Sequence, residues 1–262
     1  MKFFDSHCHL DDRAYDKDLG SVVNRAKKAG VVKIMIVGID MKSSVKAVKI
    51  AETYPGFYAS VGVHPHDSKE CSDNTINHLK DLSENIKVKA WGEIGLDFNR
   101  MFSPIAEQEK WFIRQLEAAD ELGLPIIFHE RGSNGRFFDI LKDHKKEEEI
   151  NGVIHCFSGN REELEKCLDL GLYIGITGIL TIANRGEELR DMIPFIPDNR
   201  ILIETDAPYL TPAPEKNNTR RNEPAFVKSV FLKLSEIKKE DPVVLSENIF
   251  ENTCRLFNIN PA

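Results

Sequence analysis

Phe3-Phe4-Asp5-Ser6-His7-Cys8-His9 is a short apolar run that ends in two histidines two residues apart. The same arrangement returns at Ser60-Val61-Gly62-Val63-His64-Pro65-His66, at Pro125-Ile126-Ile127-Phe128-His129 and at Val153-Ile154-His155. Two further runs end in a carboxylate instead: Ala90-Trp91-Gly92-Glu93 and Ile201-Leu202-Ile203-Glu204-Thr205-Asp206. Apolar runs this short read as buried strands. Ionisable groups gathered at the C-terminal ends of successive strands are the pattern of one site assembled from distant parts of a chain.

Working outward from these runs, the expected strands are 2–6, 32–39, 57–63, 87–92, 125–129, 151–156, 172–176 and 200–205. Amphipathic helical spacing lies between them, at 17–29, 42–54, 73–84, 104–122, 134–146, 160–170 and 185–193. Two more helices are expected, from Pro224 to about Lys239 and near residues 245–257. Eight strands, each followed by a helix, favour an α/β fold of the (β/α)8 TIM barrel type over an open doubly wound sheet. No composition break or internal repeat divides the chain, so residues 1–262 read as one domain. The lysine- and glutamate-rich stretch 142–149 reads as a solvated helix end. Residues 211–222 form the longest irregular segment, carry Lys216, Arg220 and Arg221, and would overhang the active face.

The chain has 262 residues, 41% hydrophobic and 29% charged, which describes an ordinary globular protein. Its apolar runs are too short to cross a membrane. Met1-Lys2 leads straight into a motif, leaving no room for a signal peptide. The five cysteines are an odd number without CxxC spacing, and free thiols in a reducing, cytoplasmic setting are expected. Strand alternation should turn Cys8 and Cys156 away from their histidine neighbours. The formal charge of −7 argues against a broad basic surface for nucleic acid. It leaves room for a phosphate-containing substrate, because bound cations and a few arginines make a local positive site.

His7 and His9, two apart on a strand, project to the same side, which Asp5 shares. With Glu93, His129, His155 and Asp206 at other strand ends, they form a six-ligand set. A single catalytic zinc takes three protein ligands and water, so two divalent ions fit better. Glu93 would bridge them, with His7, His9 and Asp206 on one ion and His129 and His155 on the other. Such a pair could hold a bridging hydroxide, and mixed imidazole and carboxylate ligands suit zinc or manganese, and magnesium less strongly. Asp206 is also placed to accept a proton from the attacking water.

On these residues the chain resembles the TatD family of metal-dependent deoxyribonucleases, within the larger class of amidohydrolase-like barrels. The segments that carry the resemblance are Asp5-Ser6-His7-Cys8-His9-Leu10, Val61-Gly62-Val63-His64-Pro65-His66, Gly92-Glu93-Ile94-Gly95-Leu96-Asp97, Pro125-Ile126-Ile127-Phe128-His129, His155-Cys156-Phe157-Ser158-Gly159, Glu204-Thr205-Asp206-Ala207-Pro208-Tyr209-Leu210 and Arg221-Asn222-Glu223-Pro224. The resemblance implies a TIM barrel, a divalent-metal site and hydrolysis of DNA phosphodiester bonds from a free 3′ end. Its ligand pattern falls on the same six residues. It also implies that His64 and His66 bind substrate phosphate. The sequence departs from the family pattern at Glu130, where a small residue is usual, and at Asn99, where a tyrosine is usual.

Arg131 and Arg221 are candidate phosphate clamps, since a guanidinium matches phosphate oxygens two at a time. Trp91, two before Glu93, should share its face and reads as barrel packing. His78 and His144 lie in helical stretches and receive no role. Two other functions compete with a nuclease acting on DNA. A small-molecule amidohydrolase or lactonase often carries a carbamylated lysine where this chain has Glu93. A non-catalytic partner-binding barrel would leave six inward polar groups at a high burial cost without metal. No membrane contact and no obligate protein partner is expected.

Overall fold

In the computed structural model, residues 1–145 and 149–261 are described. The expectation for residues 142–149 therefore lies partly outside the described residues. Eight parallel strands run in sequence order around one sheet: β1 (Phe3–Cys8), β2 (Val31–Val37), β3 (Phe57–Val61), β4 (Val88–Asp97), β5 (Ile126–Arg131), β6 (Gly152–Ile154), β7 (Tyr173–Ile176) and β8 (Ile201–Ile203). β8 returns to β1 through a parallel bridge between Cys8 and Ala207. The seam is tied by Asp206 N donating to His7 O at 2.9 Å and His9 N donating to Ala207 O at 2.7 Å. The expected (β/α)8 barrel is what the chain forms.

The helices are α1 (Leu19–Lys28), α2 (Met41–Thr53), α3 (Asp73–Ser83), α4 (Ile105–Leu122), α5 (Arg136–Lys145), α6 (Arg161–Asp169), α7 (Glu187–Met192), α8 (Ala213–Lys216), α9 (Val227–Lys238) and α10 (Pro242–Leu256). Local chemistry sets several of their ends. Asp40 and Ser43 form a reciprocal capping box at the start of α2, as Asn160 and Glu163 do at α6. α10 starts with Pro242 behind the capping carboxylate of Asp241. α4 stops at Gly123, which adopts the left-handed conformation that ends a helix at little steric cost.

Two buried layers follow from strand alternation. Phe4, Met35, Ala90, Ile127, Val153, Tyr173 and Leu202 fill the barrel interior, closed from below by Phe250, Leu256 and Phe257 around α10. The outer layer lies between strands and helices; Phe112, Phe128 and Phe137 form its aromatic knot, with ring centroids 5.4–6.1 Å apart. Trp91 belongs to this outer layer and not to the face of Glu93. The cause is an irregularity in the β4–β5 register between Trp91 and Ile94, which breaks simple alternation. A similar shift in β1 between Asp5 and Cys8 separates Asp5 from the histidines. β6 and β8 end at Ile154 and Ile203, earlier than their apolar runs suggest. Cys156 and Asp206 then take positive φ values of 48° and 55°, so the chain leaves the extended region within a few residues of each strand's end.

Candidate metal centre

The C-terminal strand ends bring all six expected ligands into one cluster. His7 Nε2 and His9 Nε2 lie 3.3 Å apart. Glu93 sits among the imidazoles: its carboxylate oxygens are 2.8 Å from His129 Nδ1, 3.4 Å from His7 Nε2, 3.8 Å from His155 Nε2 and 4.0 Å from His9 Nε2. Asp206 Oδ1 lies 3.4 Å from His9 Nε2 and 3.8 Å from both His7 Nε2 and His155 Nε2. His7 and His155 stack with centroids 3.6 Å apart. Glu93 is thus the shared member of the set, and Asp206 closes it on the β8 side.

The outer nitrogens decide which atoms point inward. His9 Nδ1 meets Val37 O at 2.9 Å, which leaves Nε2 for the cluster. His155 Nδ1 lies 2.7 Å from Glu204 Oε1, again leaving Nε2. Glu204 also accepts from Cys156 N at 2.6 Å and from Ser6 Oγ at 3.3 Å. Its carboxylate therefore fixes β6, β8 and β1 together behind the site. Asp97 does the same on the opposite side, 2.7 Å from His66 Nε2 and 3.5 Å from His129 Nε2.

Electrostatics follow the geometry. Burial by itself would raise the Glu93 carboxyl, but the surrounding His64, His155 and His7 hold it well below the usual carboxylate range. Burial likewise works against the charge on Asp206, and its bond to His9 with nearby His155 and His7 lowers it overall. The imidazoles answer in kind. Burial disfavours a charged His155, yet Glu204 and Glu93 hold it up to about 10. Desolvation of His9 is outweighed by Asp206, and that of His129 by Asp97 and Glu93, so each is held up to about 9. His7 is lowered by burial and by His155.

Inward nitrogens crowded against each other and against two ionised carboxylates are a donor set for divalent cations. Among the described residues, three triads have ligating atoms within 4.8 Å of one another: His7, His9 and Asp206; His64, Glu93 and His129; and His7, His155 and Glu204. These residues fit the metal that the sequence implies.

The remaining expected residues spread around the cluster. His64 is closer to it than a residue reserved for substrate need be, with Nε2 3.6 Å from Glu93 Oε1 and 3.2 Å from His129 Nδ1. His66 stands beyond it, paired with Asp97. Arg131 is exposed at the end of β5. Arg221 has partners within the chain itself: Asp18 at 2.7 and 2.8 Å, Glu223 at 2.9 Å and Ala14 O at 2.7 Å. It braces the segment after β8 against the start of α1. Asp5 accepts from Thr205 N at 2.9 Å and Thr205 Oγ1 at 2.6 Å, outside the donor cluster. Cys8 is buried beside Met35 O, and Cys156 lies against Thr177 Oγ1. His144 pairs with Asp120 at 2.7 Å on the helical surface. Glu204 and Asp97, each inside one of the sequence motifs, are two functional carboxylates beyond the six expected ligands. Glu204 and Asp206 both lie past the end of β8, where strand alternation no longer relates their side chains.

A barrel with buried imidazoles and carboxylates converging at its C-terminal rim belongs to the metal-dependent hydrolases. Within that class the family described as TatD related DNase matches residues 4–258, and the chain belongs to it. It is 42% identical over 259 residues to a 3′-5′ ssDNA/RNA exonuclease TatD of Yersinia pseudotuberculosis, covering 98% of this chain and 99% of that one. The corresponding Salmonella typhimurium protein is 41% identical over 258 residues, with the same coverage. Among solved structures, a TatD homolog from Escherichia coli superposes with a TM-score of 0.88 at 31% identity over 98% of both chains. A TatD family hydrolase from Entamoeba histolytica gives 0.88 at 27% identity, also over 98% of both. The chain is a hydrolytic nuclease of this family, and the small-molecule amidohydrolase reading gives way to it. Among the described residues, no helix is long and apolar enough to cross a membrane.

Proposed function

We propose that this chain is a 3′-5′ exonuclease acting on single-stranded DNA and RNA, with two divalent cations at the rim of the barrel. The observation that carries the reading is the position of Glu93, within 4.0 Å of nitrogens at the C-terminal ends of β1, β5 and β6. One carboxylate in contact with imidazoles from both sides of the cluster is placed to be shared between two ions. His7, His9 and Asp206 would hold one ion and His129 and His155 the other, with His64 in reach of the second. Cations bound there supply Lewis acidity toward phosphate oxygens and lower the pKa of water.

The chain's own residues do the rest. Asp206 is the least buried of the two central carboxylates and is kept ionised by its histidines, so it can take the proton of a water attacking phosphorus. Glu204, 2.7 Å from His155 Nδ1, and Asp97, 3.5 Å from His129 Nε2, favour the ring orientations that aim the other nitrogens at the cluster before substrate arrives. His66 and Arg131, at the rim, are the proposed contacts to substrate phosphate. The relatives named as 3′-5′ ssDNA/RNA exonucleases support the substrate and its polarity.

Digestion of end-labelled single-stranded DNA and RNA, with each divalent metal in turn, tests the proposal. Stepwise shortening from the 3′ end, blocked by a 3′ cap and absent on closed circles, is expected. Rapid cutting of closed circles would make the enzyme an endonuclease and overturn the reading.

A further inference from the structure

Two large aromatic side chains stand in solvent beside the metal centre. Phe102 and Tyr209 are each 54% exposed. The Phe102 ring stands edge-on to the imidazole of His66, with centroids 4.8 Å apart at 86°. The Tyr209 ring stands beside His9 at 6.1 Å and 66°. Phe102 lies in the connection after β4 and touches a histidine that follows β3; Tyr209 follows β8 and stands by the histidine just past β1. In a closed ring of eight strands in sequence order, β4 and β8 are four places apart in either direction. The two rings therefore stand at different strand ends of the mouth, one beside His66 and the other beside His9.

Both rings are carried on anchored backbone. Next to Phe102, Ser103 is fully buried and donates through Oγ to His66 O at 2.7 Å. The same Oγ accepts from Lys69 N at 3.0 Å, and Gln108 Nε2 donates to Ser103 O at 2.8 Å. Tyr209 N donates to Asp206 O at 2.8 Å, and Tyr209 O accepts from Asn222 Nδ2 at 2.6 Å. Large rings left in water on anchored backbone give up a burial that folding could have provided. Fixed aromatic faces beside a phosphate-cleaving centre have a natural occupant, because every nucleobase presents a π face.

We propose that Phe102 and Tyr209 are stacking platforms for two bases of a single-stranded 3′ end, one on either side of the phosphate held at the metal centre. The inference rests on the exonuclease reading above and adds to it the source of strand preference. Bases in a duplex are already stacked on each other and cannot occupy two separate platforms. Stacking tolerates any sequence, and it supplies affinity to a protein whose charge of −7 leaves few cations for phosphate contacts.

Steady-state hydrolysis of a short single strand, intact or with an abasic sugar at the terminal or penultimate position, tests the proposal. For the wild-type protein, removing either base should raise KM about tenfold. Phe102→Ala should raise KM on the intact strand about tenfold, with the effect in KM more than in kcat, and should cancel the abasic penalty at one position. Tyr209→Ala should cancel it at the other, while Phe102→Trp and Tyr209→Phe should bind as wild type. Anisotropy of a 5′-labelled strand, read without turnover, should show the same order of affinities. Circular dichroism checks the fold, and Phe102, being exposed, decides the case if Tyr209→Ala does not fold. Wild-type KM in both alanine variants, or an undiminished abasic penalty in them, would overturn the platforms. A wild-type protein that cuts no nucleic acid would instead remove the exonuclease reading beneath them.

Discussion

Glu93 is 3% exposed, and among the described residues no lysine or arginine pairs with it; its partners are imidazoles. Once the imidazoles give up their protons to act as ligands, this buried carboxylate needs a metal cation beside it. Glu93→Ala is therefore expected to lower metal content toward zero and to abolish hydrolysis, with the circular dichroism spectrum unchanged. Elemental analysis beside an activity assay reads both, and wild-type activity in the variant would remove the shared-ligand arrangement. Glu204 acts one step back, through His155 Nδ1 at 2.7 Å. Glu204→Gln should reduce metal affinity or turnover by roughly 10–100-fold, the usual effect of disturbing a residue that orients a ligand. His64 and His66 separate in the same way. His64→Ala should lower metal content, because Nε2 lies 3.2 Å from His129 Nδ1 and 3.6 Å from Glu93. His66→Ala should retain the metal and weaken substrate binding. Full metal content in His64→Ala would return that residue to the substrate side.

At the scale of the element, β4 is the strand with most to lose. It carries Glu93 between two glycines, Gly92 and Gly95, with φ values of 144° and 145°. A Cβ on Gly95 would lie 1.8 Å from the carbonyl oxygen of His129. Only glycine allows β4 and β5 to approach this closely at that backbone angle, and the approach sets Glu93 against His129. Gly95→Ala should destabilise the protein by about 1–3 kcal/mol. In a chain of this size each kcal/mol lowers Tm by roughly 2–4 °C. A melting curve together with metal analysis checks it, and an unchanged Tm would show that β4 and β5 can part without cost. The same irregular stretch explains why Trp91 packs outward while alternation alone puts it beside Glu93.

At the scale of the whole molecule, the net charge of −7 confines the attraction for nucleic acid to the rim of the barrel. A few cations and side chains neutralise a few phosphates. The log–log salt dependence of single-strand binding should have a slope equivalent to about two to four contacts, at about −0.7 for each. Titration of a labelled strand across a range of salt measures it. A slope as steep as that of a protein with a long basic groove would contradict the compact site. The segment after β8 is held over this rim by Arg221 and Asp18, so the mouth has a fixed edge on that side.

The apolar runs and their terminal histidines and carboxylates were enough, as sequence, to determine the barrel and to pick out six side chains that the fold brings together. Burial requires such runs to be strands, and strand order places their ends together. That logic stops at the end of β8, one residue short of Glu204. It could not reach Asp97 as the partner of His66 and His129, nor the closeness of His64 to Glu93. Those distances depend on how three neighbouring strands are staggered and kinked. The outward turn of Trp91, the diversion of Asp5 to Thr205 and the use of Arg221 as a brace were decided only by tertiary structure. Each depends on a register shift or on a partner about 200 residues away, and local periodicity carries no record of either.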